Sequence, residues 1–364
     1  SRVSLSPCLN LLAPTHPERM DIPPADLARI RDLYARGRYR QALAVGEGYG
    51  PVRGWAGPAA RLMGGRLAIQ LGGPRLGRRL HLAAFRQSPA YPEAVYYHAR
   101  YRLERFGPLS CWRFQRQHPD WSDAPPELRA DWLSLQGLVA ARFRDPDRAE
   151  KLLNQADAVA PDRAWGQVER ASALEALDRP AEAMASARRA LEIQPWFRPG
   201  VQAVAHLLQR AGREDEAIDF LLEAAEHLES GIVVAQLAAL QLDRHRPEDA
   251  RRSLDRYAEL SPLMEPEVAK WLAARRADVA YALGECEEAA AQARQVGEAF
   301  YTTFADALAS KPADRGPPAL TRTVLPVDLS YDRTPPTAHE LLSRFWSRPL
   351  PPAAGGPPVF DGLP

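Results

Sequence analysis

The chain has 364 residues, of which 46% are hydrophobic and 26% charged, and its formal net charge is +1. Such a composition fits two or three globular domains or one long repeat array and excludes an intrinsically disordered chain. No stretch of eighteen apolar residues occurs, which excludes a hydrophobic membrane-spanning helix. The charge is unevenly spread: residues 1–120 carry 19 Arg against 8 Asp and Glu, about +11, and the remainder is about −10. We read this basic third as arginines on solvated helix faces, paired with neighbouring acids, rather than as a nucleic-acid surface. The three cysteines, Cys8, Cys111 and Cys286, lie far apart with no CxxC or Cys/His spacing. They predict no disulfide framework, no metal site and a reducing, cytoplasmic setting.

In chain order, residues 1–22 read as a disordered or extended N-terminus. Residues 23–125 read as divergent helical repeats. ADLARIRDLYARGRYRQALAVGE (25–47) puts Gly37, Tyr39 and Ala42 around a central turn. The segment 58–89 places Ala84 and Pro89 in the same register, and LGGPRLGRR (71–79) within it reads as a loop leading into a helix. Residues 93–119 form a shorter pair rich in aromatics. Tyr96, Tyr97, Tyr101, Phe106, Trp112, Phe114 and Trp121, interleaved with Arg100, Arg102, Arg105, Arg113 and Arg116, read mainly as core packing.

Residues 126–305 carry the strongest signal, an internal repeat. DPDRAEKLLNQADAVAP (145–161) has Ala149, Ala156 and Pro161. RPAEAMASARRALEIQP (179–195) has Ala183, Ala190 and Pro195, each 34 residues further on. Ala217 and Ala224 follow at the same step, then Ala250, Tyr257 and Pro262, then Ala289 after a longer connection. A small residue on each preceding helix (Gly137, Ala171, Ala205, Ala238, Ala277) lets the second helix approach closely. The prolines stop the second helix. Residues 306–322 read as a proline-rich linker. Residues 323–364 read as a short strand, VLPVDL, followed by an amphipathic helix within YDRTPPTAHELLSRFW.

The landmarks at 130–302 resemble the tetratricopeptide repeat family. The resemblance implies an all-α fold: a right-handed α-solenoid of about seven antiparallel helix pairs, whose concave groove binds a protein or peptide. The lysine–asparagine clamp used by some members has no counterpart here, because asparagine occurs only at positions 10 and 154 and lysine only at 151, 270 and 311. Arginines on first helices gripping acidic groups bidentately are the alternative. The groove candidates are Arg66, Tyr97, Arg100, Tyr101 and Arg170, with Arg102 beside them. No cofactor and no membrane contact are expected.

The tail is similar to the opening of papain-like cysteine peptidases of the bacteriocin-leader-processing type, through LPV (325–327), Pro336, SRFWSRP (343–349) and VFDGLP (359–364). In that register Thr334 stands at the nucleophilic cysteine position and Leu329 at the oxyanion glutamine. His339, the one imidazole near them, sits too far along the helix to act as a base. The expectation is a bacterial scaffold with a truncated, catalytically dead peptidase-like segment. The alternative is the substrate-recognition half of such a peptidase. No P-loop, GxGxxG, HExxH or GxSxG pattern is present.

Overall fold

The computed structural model describes residues 21–119 and 121–309. Within them the chain is an all-α helical-repeat solenoid of seventeen α-helices, with no strand among the described residues. The helices form consecutive hairpins: α1 (Pro24–Ala35) with α2 (Tyr39–Glu47), α3 (Pro58–Gln70) with α4 (Pro74–Gln87), α5 (Pro92–Phe106) with α6 (Pro108–Arg116), and α7 (Pro126–Arg142) with α8 (Pro146–Val159). Then come α9 (Ala164–Ala176) with α10 (Pro180–Ile193), α11 (Arg198–Arg210) with α12 (Glu214–His227), α13 (Gly231–Asp243) with α14 (Pro247–Glu259), and α15 (Pro266–Ala282) with α16 (Cys286–Val296). A final helix, α17 (Ala299–Ala309), packs on α16. There are thus eight hairpins where about seven were expected. The expected linker at 306–322 begins inside α17. The strand–helix tail, Thr334 and His339 lie outside the described residues.

Two backbone devices set the rhythm. Proline occupies one of the first two positions in eleven of the helices, where a missing N–H costs nothing and the fixed φ suits the first turn. Proline therefore starts helices here as well as ending them. Inside each hairpin, one residue with positive φ reverses the chain: Gly37, Gly72, Gly107, Arg144, Asp178, Gly212, His245 and Gly284. Gly37 and Gly72 close their turns with the same backbone bond as the later hairpins, whereas Gly107, with ψ of 179°, is a single-residue link between α5 and α6.

The small residues do what the spacing implied. Ala171, Ala205, Ala238 and Ala277 on first helices are buried, as are Ala149, Ala183, Ala217, Ala250 and Ala289 on the second ones. At Gly137 a methyl group would meet Leu153 Cγ at 2.8 Å, so only glycine allows α7 and α8 to lie this close. The core runs from hairpin to hairpin: one apolar cluster joins Ala171 and Leu174 of α9 to Leu237 and Leu240 of α13 through Val201, Ile218 and Leu221.

The chain also touches itself five to six repeats apart. The carbonyl of Gly37, in the α1–α2 turn, accepts from Glu229 N at 3.1 Å. The carbonyls of Leu71 and Gly72, in the α3–α4 turn, accept from Leu263 N and Glu265 N, both at 2.9 Å. The Glu265 carboxylate accepts from Arg75 N at 2.7 Å and Leu76 N at 2.8 Å. The Glu229 carboxylate accepts from Arg40 N at 3.3 Å. Neither α2 nor α4 has a capping side chain of its own, so these glutamates, 189 and 190 residues away, satisfy the free amides at both helix starts. Glycine at 37 and 72 eases the approach: a methyl on Gly37 would overlap the Leu228 side chain, and one on Gly72 would lie 3.0 Å from the Met264 Cα.

Candidate binding surface

The first helices bring polar side chains together. On α3 the Arg66 guanidinium lies 4.4 Å above the Tyr34 ring and 3.9 Å from Glu93, which Arg31 of α1 also approaches at 3.7 Å. On α5 the Arg100 guanidinium is ion-paired with Glu169 of α9, sits 3.6 Å from Glu104 and lies over the Trp165 ring at 4.7 Å. Trp165 donates its indole N–H to the Tyr96 hydroxyl at 2.7 Å. Arg163 holds Asp131 with two hydrogen bonds, at 2.8 and 2.6 Å. Burial pushes the Glu169 carboxyl up from its ordinary value, and Arg100 opposes that shift. Burial also pushes the Tyr97 hydroxyl up to about 12.

Arg66 and Arg100, expected as free ligands for an acidic group, therefore already have carboxylate partners in the chain. Arg170 does too: it donates to Asp157 at 2.7 Å and to Asn154 at 3.0 Å on α8. A ligand for these three guanidiniums would have to compete with intramolecular pairs.

The structure brings Tyr97, Arg100 and Tyr101 together on one cavity of about 130 Å³ between α3, α4 and α5, with Arg78, Leu82 and Glu104. A second cavity, of about 460 Å³, shares Arg78, Leu82 and Tyr101 and is completed by Arg75, Arg79 and the 265–267 segment. Together they form one cleft. Arg75 is matched by Glu267 at 2.7 Å, and Arg79 reaches Glu265 only at 3.9 Å. Arg78 has no carboxylate within ion-pair distance among the described residues. His81 and His98 face the inner part of the cleft. Burial lowers both to about 4, so they are neutral near pH 7. Arg66 and Arg170 do not line this cleft.

Sequence reasoning missed Arg78, Arg79, Leu82 and the 265–267 wall. Arg78 and Arg79 stand in the LGGPRLGRR segment, whose run of unmatched positive charge was the available signal. The far wall left no local signal, since its role depends on contact with a turn 190 residues earlier. The aromatic segment at 96–121 is mostly core, with Tyr96, Phe114 and Trp121 buried, but Phe106 is 61% exposed and does not belong to it. The Cys111 thiol is buried and pushed up to about 12, so it supplies no thiolate at neutral pH. No helix among the described residues is long and apolar enough to cross a membrane.

No protein-family model and no curated protein matches the sequence. Solved structures do. The structure of PilF from Pseudomonas aeruginosa matches 59% of this chain and 97% of its own, at 15% identity and a TM-score of 0.42. That of PilW, a type IV pilus biogenesis factor, matches 61% and 99%, at 16% identity and a TM-score of 0.43. A tetratricopeptide repeat protein from Parabacteroides merdae matches 69% and 96%, at 15% identity and a TM-score of 0.38. Likeness this distant says nothing of a shared ligand.

Proposed function

We propose that this chain is a tetratricopeptide-type scaffold that docks a protein or peptide partner, with the cleft along α4 and α5 as the docking site for an acidic segment. The observation that carries this reading is the combination of Arg78, unmatched by any described carboxylate, with the apolar surfaces of Leu82 and Tyr101 in one cleft. Guanidinium and aromatic side chains together are the usual anchors of protein interfaces. A preformed helical surface also lowers the ordering cost of binding. The two buried or half-buried free thiols, Cys111 and Cys286, suit a reducing compartment such as the cytoplasm.

The test is a binding titration with an acidic peptide, a synthetic chain alternating glutamate and tyrosine, against its glutamine counterpart. Binding of the acidic form that is lost in Arg78→Glu and weakened in Tyr101→Ala supports the cleft. Equal binding by Arg78→Glu removes it. The segment at 323–364 is proposed to be catalytically inactive, because in the register of the peptidase resemblance Thr334 would stand where that family has its nucleophilic cysteine. Peptide cleavage by the purified chain that Thr334→Ala abolishes would overturn that part.

A further inference from the structure

The two walls of the cleft come from opposite ends of the solenoid. Arg75, Arg78, Arg79 and Leu82 belong to α4, whereas Glu265, Pro266 and Glu267 open α15. They meet because the α3–α4 turn docks on the loop before α15, through the Leu263 N to Leu71 O and Glu265 N to Gly72 O hydrogen bonds and the Glu265 cap on α4. The parallel contact one repeat earlier, Glu229 on the α1–α2 turn and on the start of α2, closes the same seam at a point that does not touch the cleft. The seam joins turns and loops through exposed or partly buried hydrogen bonds, and Leu263 adds apolar packing against the cluster that contains Leu71. Each hairpin also packs on the next, so opening the seam leaves the neighbouring contacts in place.

Both carboxylates of the far wall are already matched, Glu265 by the first amides of α4 and Glu267 by Arg75 at 2.7 Å. The charge of Arg78 is left over. We infer that the cleft is a composite site that exists only while the seam is shut, so that an acidic segment seated there clamps the first two hairpins onto the loop at 261–267. This rests on the docking role given to the cleft above. A ligand that touches both walls has affinity for the closed form alone, so occupancy and closure must favour each other to the same extent. The partner is then an acidic peptide segment that converts an extensible solenoid into a locked one.

The experiment uses the full chain, the glutamate–tyrosine peptide and hydrogen exchange at the Arg75 and Leu76 amides. Two seam variants away from the cleft are compared with the wild type: Glu229→Gln, which weakens the cap on α2, and Gly37→Ala, which crowds Leu228 at a turn with φ of 73°. The peptide is expected to slow exchange at both amides in the wild type. Its affinity is expected to fall in either variant by the same factor by which the closed fraction, read from exchange at the two amides, shrinks. Circular dichroism reports whether each variant keeps its helices. Undiminished affinity in a folded variant whose exchange at Arg75 and Leu76 shows the seam mostly open overturns the coupling while leaving the docking role intact. Absence of any peptide binding by the wild type overturns both.

Discussion

Trp165 on α9 donates its indole N–H to the Tyr96 hydroxyl on α5 at 2.7 Å, although a complete hairpin, α7–α8, separates them in the chain. The Arg100–Glu169 ion pair spans the same 69 residues beside it. Side chains two repeats apart therefore meet across the first helices, which ties the array together beyond its nearest-neighbour contacts. The Tyr96→Phe substitution removes the acceptor of this partly buried bond, at a cost of about 1 kcal/mol. Trp165→Phe should cost a comparable amount through lost packing and the lost bond. In a double-mutant cycle followed by urea unfolding, the two effects should be non-additive by at least about 0.5 kcal/mol. Strict additivity would mean that the bond contributes nothing to the coupling of the two hairpins.

The legible part of the fold and the illegible part differ in the range of the interactions that set them. Ala183, Ala217 and Ala250 pack against the adjoining helix, so the need for a small side chain recurs every turn of the pattern and shows in the spacing. Gly37 was legible as a turn because glycine advertises positive φ. Arg144, Asp178 and His245 take the same backbone conformation at the same place in their hairpins, but nothing in an arginine, aspartate or histidine side chain announces it. The pairing of Arg100 with Glu169 depends on curvature, which accumulates from small rotations between successive hairpins and leaves no mark at either residue. Hence Arg66, Arg100 and Arg170 were recognisable as arginines on first helices, while the carboxylates that hold them were not. Glu229 and Glu265 are further removed still, since their roles as caps require two turns of the array to touch.

Asp278 makes the stability of the α15 region pH-dependent. It lies on α15, 3.1 Å from Arg275, and burial pushes its carboxyl up to about 6 despite that guanidinium. The folded chain therefore holds this proton more tightly than the unfolded chain, whose ordinary value is 3.8. Between about pH 4 and about pH 6 the contribution must fall as pH rises, by roughly 2–3 kcal/mol over the window. The Asp278→Asn variant loses Arg275's partner and so shifts stability at every pH. Its signature is instead the slope: the difference in unfolding free energy between variant and wild type should move in the variant's favour from pH 4 to pH 6 and be flat above it. A difference that does not vary with pH would show that Asp278 titrates normally in the folded chain.

His81 should act with the opposite sign. Its Nε2 lies 3.2 Å from the Leu62 carbonyl, to which the neutral ring donates, and burial lowers its pKa to about 4. Here the unfolded chain takes up the proton first, near the ordinary value of 6.5. Stability present above pH 6.5 is then lost as pH falls towards 4, by about 2 kcal/mol after allowance for partial exposure. His81→Gln can still donate to Leu62 and cannot titrate. Urea unfolding of this variant should lose less stability than the wild type between pH 6.5 and pH 4. Parallel profiles for the two proteins would refute the assignment.

The turn at His245 offers a stabilising substitution that touches no packing. Its φ is 55°, in the left-handed region where a side chain other than glycine costs roughly 1–2 kcal/mol. The residue is exposed, and the reversal is fixed by backbone bonds on either side of it: His245 N donates to Leu242 O at 3.0 Å and Arg246 N to Gln241 O at 2.8 Å. Glycine already occupies the matching turn position at 37, 72, 212 and 284. His245→Gly relieves the strain and gives back about 0.5–1 kcal/mol through the greater freedom of glycine in the unfolded chain. The expected result is a net gain of up to about 1 kcal/mol, read as a higher urea midpoint with an unchanged slope. A control, His245→Ala, keeps the Cβ in the left-handed turn and should show no gain. If alanine stabilises as much as glycine, the effect comes from the loss of the imidazole and not from the backbone.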